Sequence, residues 1–111
     1  MEHKIYELHA QMCQVFISPK RLEILNLLRD KELCVGELTE LAKMRQANLS
    51  QHLSILREKG IVKTRREGTT IYYSLANPKI IKAFDTIREM LMERLAQTEK
   101  LSKDIRSAEK K

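Results

Sequence analysis

The chain is poor in the residues that break or staple a fold. Its 111 residues include three glycines, two prolines and two cysteines. So few turn formers leave room for few turns and favour helices. The cysteines are far apart, with no framework spacing, which excludes a disulfide scaffold and suits a reducing cytoplasm. No apolar run approaches the ~18 residues of a membrane span, and the first residues carry no signal-peptide-like apolar core. Neither a membrane protein nor a secreted one is expected. Motifs of catalysis are also missing. There is no Gly-rich phosphate loop, no His-Glu-x-x-His, no pair of carboxylates in an apolar setting and no Ser/His/Asp arrangement. A Cys13/His9 nucleophile would lack a third, orienting group. The sequence therefore reads as a non-enzyme that carries no cofactor.

What is present is the composition of one small globular domain. Hydrophobic residues make up 42% of the chain, too many for wholesale disorder. The net charge is +6, and it is unevenly spread. Residues 1–42 hold five basic and seven acidic side chains, residues 43–68 seven and two, and residues 69–111 nine and six. Solubility charge alone would be spread more evenly. A basic excess packed into residues 43–68 is the footprint of contact with a phosphate backbone.

The densest part of that segment reads as an amphipathic helix over 46–59, closed by Gly60. Leu49, Leu53 and Leu56 recur at i, i+4 and i+7 and form one apolar stripe. At about 100° per residue, Ala47, Gln51, Ser54 and Glu58 point the other way, with Asn48 and Ile55 close by. A plain solvent-facing helix prefers Glu, Lys and Arg on that face. Here it carries short amides and hydroxyls. Gln and Asn read adenine bidentately, and a small Ala can meet a thymine methyl.

The surroundings fit that helix. Residues 2–16 look helical, with Ile5, Leu8, Met12, Val15 and Phe16 three or four apart. Ser18-Pro19 is an N-cap followed by an N1 proline, starting a helix striped by Leu22, Leu25 and Leu28 that stops near Asp30-Lys31. Leu33, Val35, Leu38 and Leu41 mark a short helix over 35–43, and Met44-Arg45-Gln46 turns into the 46–59 helix. Two short helices joined by a tight turn form a helix-turn-helix pattern. After Gly60 the period falls from 3.6 to 2. Runs 61–66 and 70–75 flank Glu67-Gly68-Thr69 as a β-hairpin with basic arms at Lys63, Arg65 and Arg66. A hairpin in that place is a wing, suited to phosphates or the minor groove. Asn77-Pro78 then opens a long last helix striped by Ile80, Phe84, Ile87, Leu91 and Leu95. One small domain has little core left to cover that stripe. The first and last helices, over 3–16 and 79–97, are therefore expected to form a homodimer seam. The expected fold is mainly α (α+β), a winged helix-turn-helix of five helices and a two-stranded hairpin. Residues 1–97 form the domain, and 98–111 a polar, Lys-rich tail expected to fray.

The residues expected to meet double-stranded DNA are Arg45, Gln46, Ala47, Asn48, Ser50, Gln51 and His52, with Lys63, Arg65, Arg66 and Thr69 from the wing. His52 lies about 70° from the apolar stripe, so it braces the helix and touches a phosphate rather than reading a base. A sequence-specific regulator is the leading reading. A weakly specific, chromatin-type DNA-binding protein without an effector is the alternative.

Taken together, Ser18-Pro19-Lys20-Arg21-Leu22-Glu23-Ile24-Leu25, Glu32-Leu33-Cys34-Val35-Gly36-Glu37-Leu38, Leu49-Ser50-Gln51-His52-Leu53, Gly60-Ile61-Val62, Arg65-Arg66-Glu67-Gly68 and Ile71-Tyr72-Tyr73-Ser74-Leu75 resemble the ArsR/SmtB family of winged-helix repressors over residues 14–95. The resemblance implies a homodimeric repressor of a palindromic operator, with the 46–59 helix in the major groove and the 63–72 wing beside it. Relatives commonly release DNA on a metal or redox signal. One departure is Arg45, where many relatives have a Ser that caps the recognition helix. That weakens the cap but adds a phosphate contact.

The sensor sites of relatives are incomplete here. Positions matching zinc ligands of the last helix are Asn77, Lys79, Met90 and Glu93, three of them poor ligands. A Cys-x-Cys arsenic motif is reduced to Cys34-Val35-Gly36, and a persulfide-sensing Cys is replaced by Asn26. Cys34, Glu37, Cys13 and His9 could imitate the zinc set that relatives build from this segment and the N-terminus. That would make a metal- or thiol-responsive repressor the third reading.

Overall fold

The structure, a computed structural model, describes residues 2–109, which divide after Pro78 into two compact units. In the first unit, α1 (Glu2–Cys13) runs into a 3-10 turn (Gln14–Ile17), followed by α2 (Pro19–Leu27), β1 (Leu33–Cys34), α3 (Val35–Ala42), α4 (Gln46–Glu58), β2 (Val62–Glu67) and β3 (Thr70–Leu75). The second unit holds α5 (Lys79–Gln97) and α6 (Glu99–Glu109).

Helix boundaries follow local chemistry. Ser18 caps α2, its Oγ accepting from the Arg21 N–H at 3.4 Å, and Pro19 occupies the first helical position, where a missing N–H costs nothing. At the start of α3 the Glu37 carboxylate accepts from the Cys34 backbone N–H at 3.0 Å, half of a reciprocal capping box. The turn into α4 is made by Lys43, a non-glycine residue in the left-handed region at φ 53°. Helix α4 ends in a Schellman motif. Gly60 N–H donates to Arg57 O at 3.0 Å and Ile61 N–H to Leu56 O at 2.9 Å, with Gly60 at φ 74°. Leu56 and Ile61 are both buried, as the motif's apolar contact requires.

The core of the first unit lies where these helices converge. Leu25, Leu28, Leu38, Leu49, Leu53 and Leu56 are all at 1% exposure or less, joined by Ile24 and Val15. Each fully buried leucine contributes about 2 kcal/mol. The expected stripe of α4 is therefore fully buried. The α1 stripe behaves differently. That helix has no buried residue, and Ile5, Leu8 and Met12 are 57%, 49% and 51% exposed. In the second unit Phe84 is buried, with the Arg88 guanidinium 4.8 Å from its ring centroid, whereas Ile87, Met90 and Leu91 are more than half exposed.

Two details differ from the sequence expectation of five helices and a two-stranded hairpin. The sheet has three antiparallel strands in the order β1-β3-β2, with Leu33 opposite Tyr73 and Cys34 opposite Tyr72. A two-residue strand has no period to read. The described residues also contain six α-helices, the sixth on the segment expected to fray. Its Glu, Lys, Arg and Ala residues are strong helix formers. Residues 110 and 111 of that tail lie outside the described residues.

The glycines of α3 and α4 make opposite predictions. Gly60→Ala places a Cβ at positive φ and should cost about 1–2 kcal/mol. Gly36 sits inside α3, and a Cβ there meets only the Cys34 Sγ at 4.0 Å, an ordinary contact. Gly36→Ala should therefore stabilise by about 0.5–1 kcal/mol through helix propensity. Urea unfolding of the two variants should move the midpoint in opposite directions.

Candidate nucleic-acid interface

The face of α4 opposite its buried leucines is bare. Gln46, Ala47, Asn48, Ser50, Gln51 and Ser54 are all exposed. Five polar side chains and one alanine, with Glu58 only at the far end of the helix, make a surface that donates and accepts hydrogen bonds but does not repel a polyanion. The Arg45 side chain makes no capping hydrogen bond, so the first N–H groups of α4 keep their positive end of the helix dipole uncovered by a local side chain.

Next to this face lies a shallow depression of about 450 Å³, lined by Lys20, Lys43, Met44, Arg45, Asn48, Gln51 and His52. Three elements meet there: the first turn of α2, the connection after α3, and α4. The depression thus joins the amides of α4 to three cations, and Lys20 is a residue that sequence reasoning missed. Its position in the first turn of α2 is distant in sequence from the basic cluster, so no local charge count could assign it. Lys20 Nζ pairs with Glu23 at 3.2 Å on the surface, a contact weak enough for a phosphate to replace.

His52 is half-buried in this lining, and the Arg21 Nε donates to its Nδ1 at 3.3 Å. A guanidinium can only donate, so a neutral His52 carries its proton on Nε2. Burial first, and then the Arg21 charge, hold its pKa below the ordinary value of 6.5. As an acceptor from Arg21, the imidazole ties α4 to α2.

The wing is the β2–β3 hairpin, paired from Val62 opposite Leu75 to Glu67 opposite Thr70. Gly68 at φ 63° opens its two-residue turn and Thr69 keeps negative φ, the sign pattern of a type II′ turn. Lys63, Arg66 and Thr69 are exposed along it. Arg65 is exposed too, but its guanidinium is already engaged. Nε lies 3.1 Å and 3.2 Å from the two Glu32 carboxylate oxygens, NH2 lies 3.1 Å from Glu32, and NH1 lies 3.0 Å from Glu67. The pairing lowers the Glu32 pKa and raises that of Arg65.

The four sensor candidates are not brought together within this chain. Among the described residues no group of three or more His, Cys, Asp or Glu side chains is arranged to hold a metal ion. Cys34 and Glu37 serve the α3 cap instead, and the Cys34 N–H and then its thiol hold the Glu37 carboxyl below its usual range. Cys13 and His9 are exposed on α1, one helical turn apart. Both cysteines are free thiols.

Comparison with known proteins places these features in context. The family model of the bacterial regulatory proteins of the arsR family matches residues 18–64, from the α2 cap into β2. The nodulation protein NolR of Rhizobium meliloti is 37% identical over 89 residues, covering 80% of this chain and 73% of that protein. The transcriptional repressor PagR of Bacillus anthracis is 38% identical over 85 residues, 72% of this chain and 85% of that protein. The homodimeric winged helix-turn-helix DNA-binding domain of a possible ArsR-family regulator from Mycobacterium bovis superposes with a TM-score of 0.77 at 28% identity, over 85% of this chain and 87% of that one.

The depressed His52 pKa predicts a pH effect on stability. Between its folded value and 6.5 the unfolded chain binds more protons, so stability rises with pH across that window and falls on acidification through it. His52→Gln keeps an acceptor for Arg21 but does not titrate. Its unfolding midpoint should lose less than that of the wild type between about pH 7.5 and about pH 5.5. An equal loss would show that His52 is not the group responsible.

Proposed function

The chain belongs to the arsR family of bacterial regulatory proteins, and from that premise we propose that it is a homodimeric transcriptional repressor of a palindromic operator. The observation that carries this reading is the exposed face of α4, an amide-rich centre bordered by Lys20, Lys43 and Arg45. Gln46, Ala47, Asn48, Ser50 and Gln51 face base edges in the major groove. The cations beside them, and Lys63, Arg66 and Thr69 on the wing, meet phosphates or the minor groove. Phosphate oxygens complete the open N-terminus of α4, where N–H groups and dipole both favour an anion. Repression follows from occupancy of the operator, and the similar protein PagR is named a transcriptional repressor.

The dimer is supported by apolar surface that one chain leaves uncovered. Helix α1 exposes Ile5, Tyr6, Leu8 and Met12, and α5 exposes Ile87, Met90 and Leu91. Contiguous apolar stripes of this kind mark an interface between proteins. In the dimer these stripes form the seam, and the symmetry axis sets two α4 helices about 34 Å apart for successive major grooves. No helix among the described residues is long and apolar enough to cross a membrane.

Two measurements test the reading. Sedimentation at micromolar concentration should give twice the 13.0 kDa chain mass, and Leu91→Glu should yield monomers that have lost operator affinity. With the duplex enriched from a random pool, Gln51→Ala should lose about 1–3 kcal/mol of discrimination between operator and mismatched sites. Arg66→Ala should weaken all duplexes alike and lower the salt slope by about one per contact removed, counted over both subunits. Unchanged base preference in Gln51→Ala would mean that another face of α4 enters the groove.

A further inference from the structure

We propose that Arg65 is a positioning residue of the wing, holding the hairpin at mid-length through Glu32, and is not itself a phosphate ligand. The inference rests on the DNA-binding reading and assigns one of its cations a different task. It starts from the register. Strand β1 spans only Leu33 and Cys34, which face Tyr73 and Tyr72. Beyond Tyr72, toward the turn, the hairpin has only two strands. Two-stranded ribbons are marginal in water and twist freely. Arg65 stands opposite Tyr72, at the last rung that β1 supports. From β2 its guanidinium lies over the Tyr72 ring, 4.8 Å from the centroid, and reaches Glu32, the residue before β1. One side chain thus links β2, β3 and the residue that leads into β1, where the sheet gives way to free ribbon.

The charges make the same point. Both faces of the guanidinium fork are committed, Nε and NH2 to Glu32 and NH1 to Glu67. One cation between two carboxylates has its charge and its donors already engaged, and offers a phosphate little attraction. Lys63 acts on Glu32 through space, and Arg66 lies outside the cluster, so both remain suited to DNA. The pair Glu32 and Arg65 ties the wing to the connection between α2 and α3. The tip is thereby set relative to the helix-turn-helix before DNA arrives, and less ordering is left for binding to impose.

The two roles predict opposite signs for one substitution. Glu32→Gln removes a negative charge near DNA. If Arg65 met phosphate, this change would free it and tighten binding. If the pair positions the wing, Glu32→Gln should weaken binding by about threefold or more, as should Arg65→Ala, and the double variant should be no weaker than either. The salt slope of both single variants should fall by less than that of Arg66→Ala, which loses a phosphate contact in each subunit. Arg65→Lys keeps the charge but not the fork, and should bind like Arg65→Ala. Tighter binding by Glu32→Gln, a slope in Arg65→Ala lowered as far as in Arg66→Ala, or rescue by Arg65→Lys would overturn the proposal. A second measurement needs no DNA. Amide hydrogen exchange over residues 64–71 of the free chain should accelerate in Glu32→Gln and Arg65→Ala while α4 stays protected, and unchanged protection would overturn the proposal on its own. If the wild type bound no duplex in a salt-dependent way, the proposed function would fail, and exchange would still decide whether the latch exists.

Discussion

The structure depends on α4 serving two environments with one short sequence. Leu49, Leu53 and Leu56 are sealed in the core, at 0%, 1% and 0% exposure. That burial is worth several kcal/mol, enough to fix the helix while its other face stays exposed. Every neighbouring device sets the ends or the rotation of this helix. The Schellman motif at Gly60 stops it before β2, and the left-handed Lys43 aims its start. The Arg21 to His52 hydrogen bond ties its middle to α2. A rotation of one residue, about 100°, would move Gln51 off the outer face and expose a leucine. The same stripe that stabilises the fold therefore fixes which side chains can meet DNA.

What the sequence makes legible follows from this. The α4 stripe, the Ser18-Pro19 start, the Gly68 turn and the amide-rich outer face each rest on a periodicity or a residue with one strong local preference. Those features are local, and the structure has them where the pattern places them. Three others are invisible for a physical reason. Strand β1 is two residues long and exists only because β3 offers it a partner. Lys20 joins the depression beside α4 through the packing of α2, more than twenty residues away in the chain. Arg65 looks like any other wing cation until Glu32 and Glu67 are seen around it. Charge counted along a sequence records sign, not whether a charge is already paired.

Cys34 and Glu37 show the same limit from the other side. As residue types they fit a metal or thiol sensor, and their spacing suits one. In the structure that spacing is the i, i+3 geometry of a capping box, with the carboxylate on the Cys34 N–H. A cap of this kind is worth about 1 kcal/mol to α3, the first helix of the helix-turn-helix. Any ligand that took the Glu37 carboxylate would have to offset that loss, and the start of α3 would loosen with it.

The two ends of the helix-turn-helix are thus held by different kinds of contact. Core leucines anchor α4, at a cost to remove that approaches the stability of a small domain. The base of the wing is buried at Val62, but its outer part is tied by two residues of β1 and by one exposed charge cluster that is weak and screened by salt. Rising ionic strength should therefore act twice on DNA binding. It displaces phosphate contacts directly, and it loosens the Glu32 and Arg65 pair that sets the wing. The first effect is linear in the logarithm of salt. The second appears in the free protein, as faster exchange of wing amides at salt concentrations that leave the α4 amides unchanged.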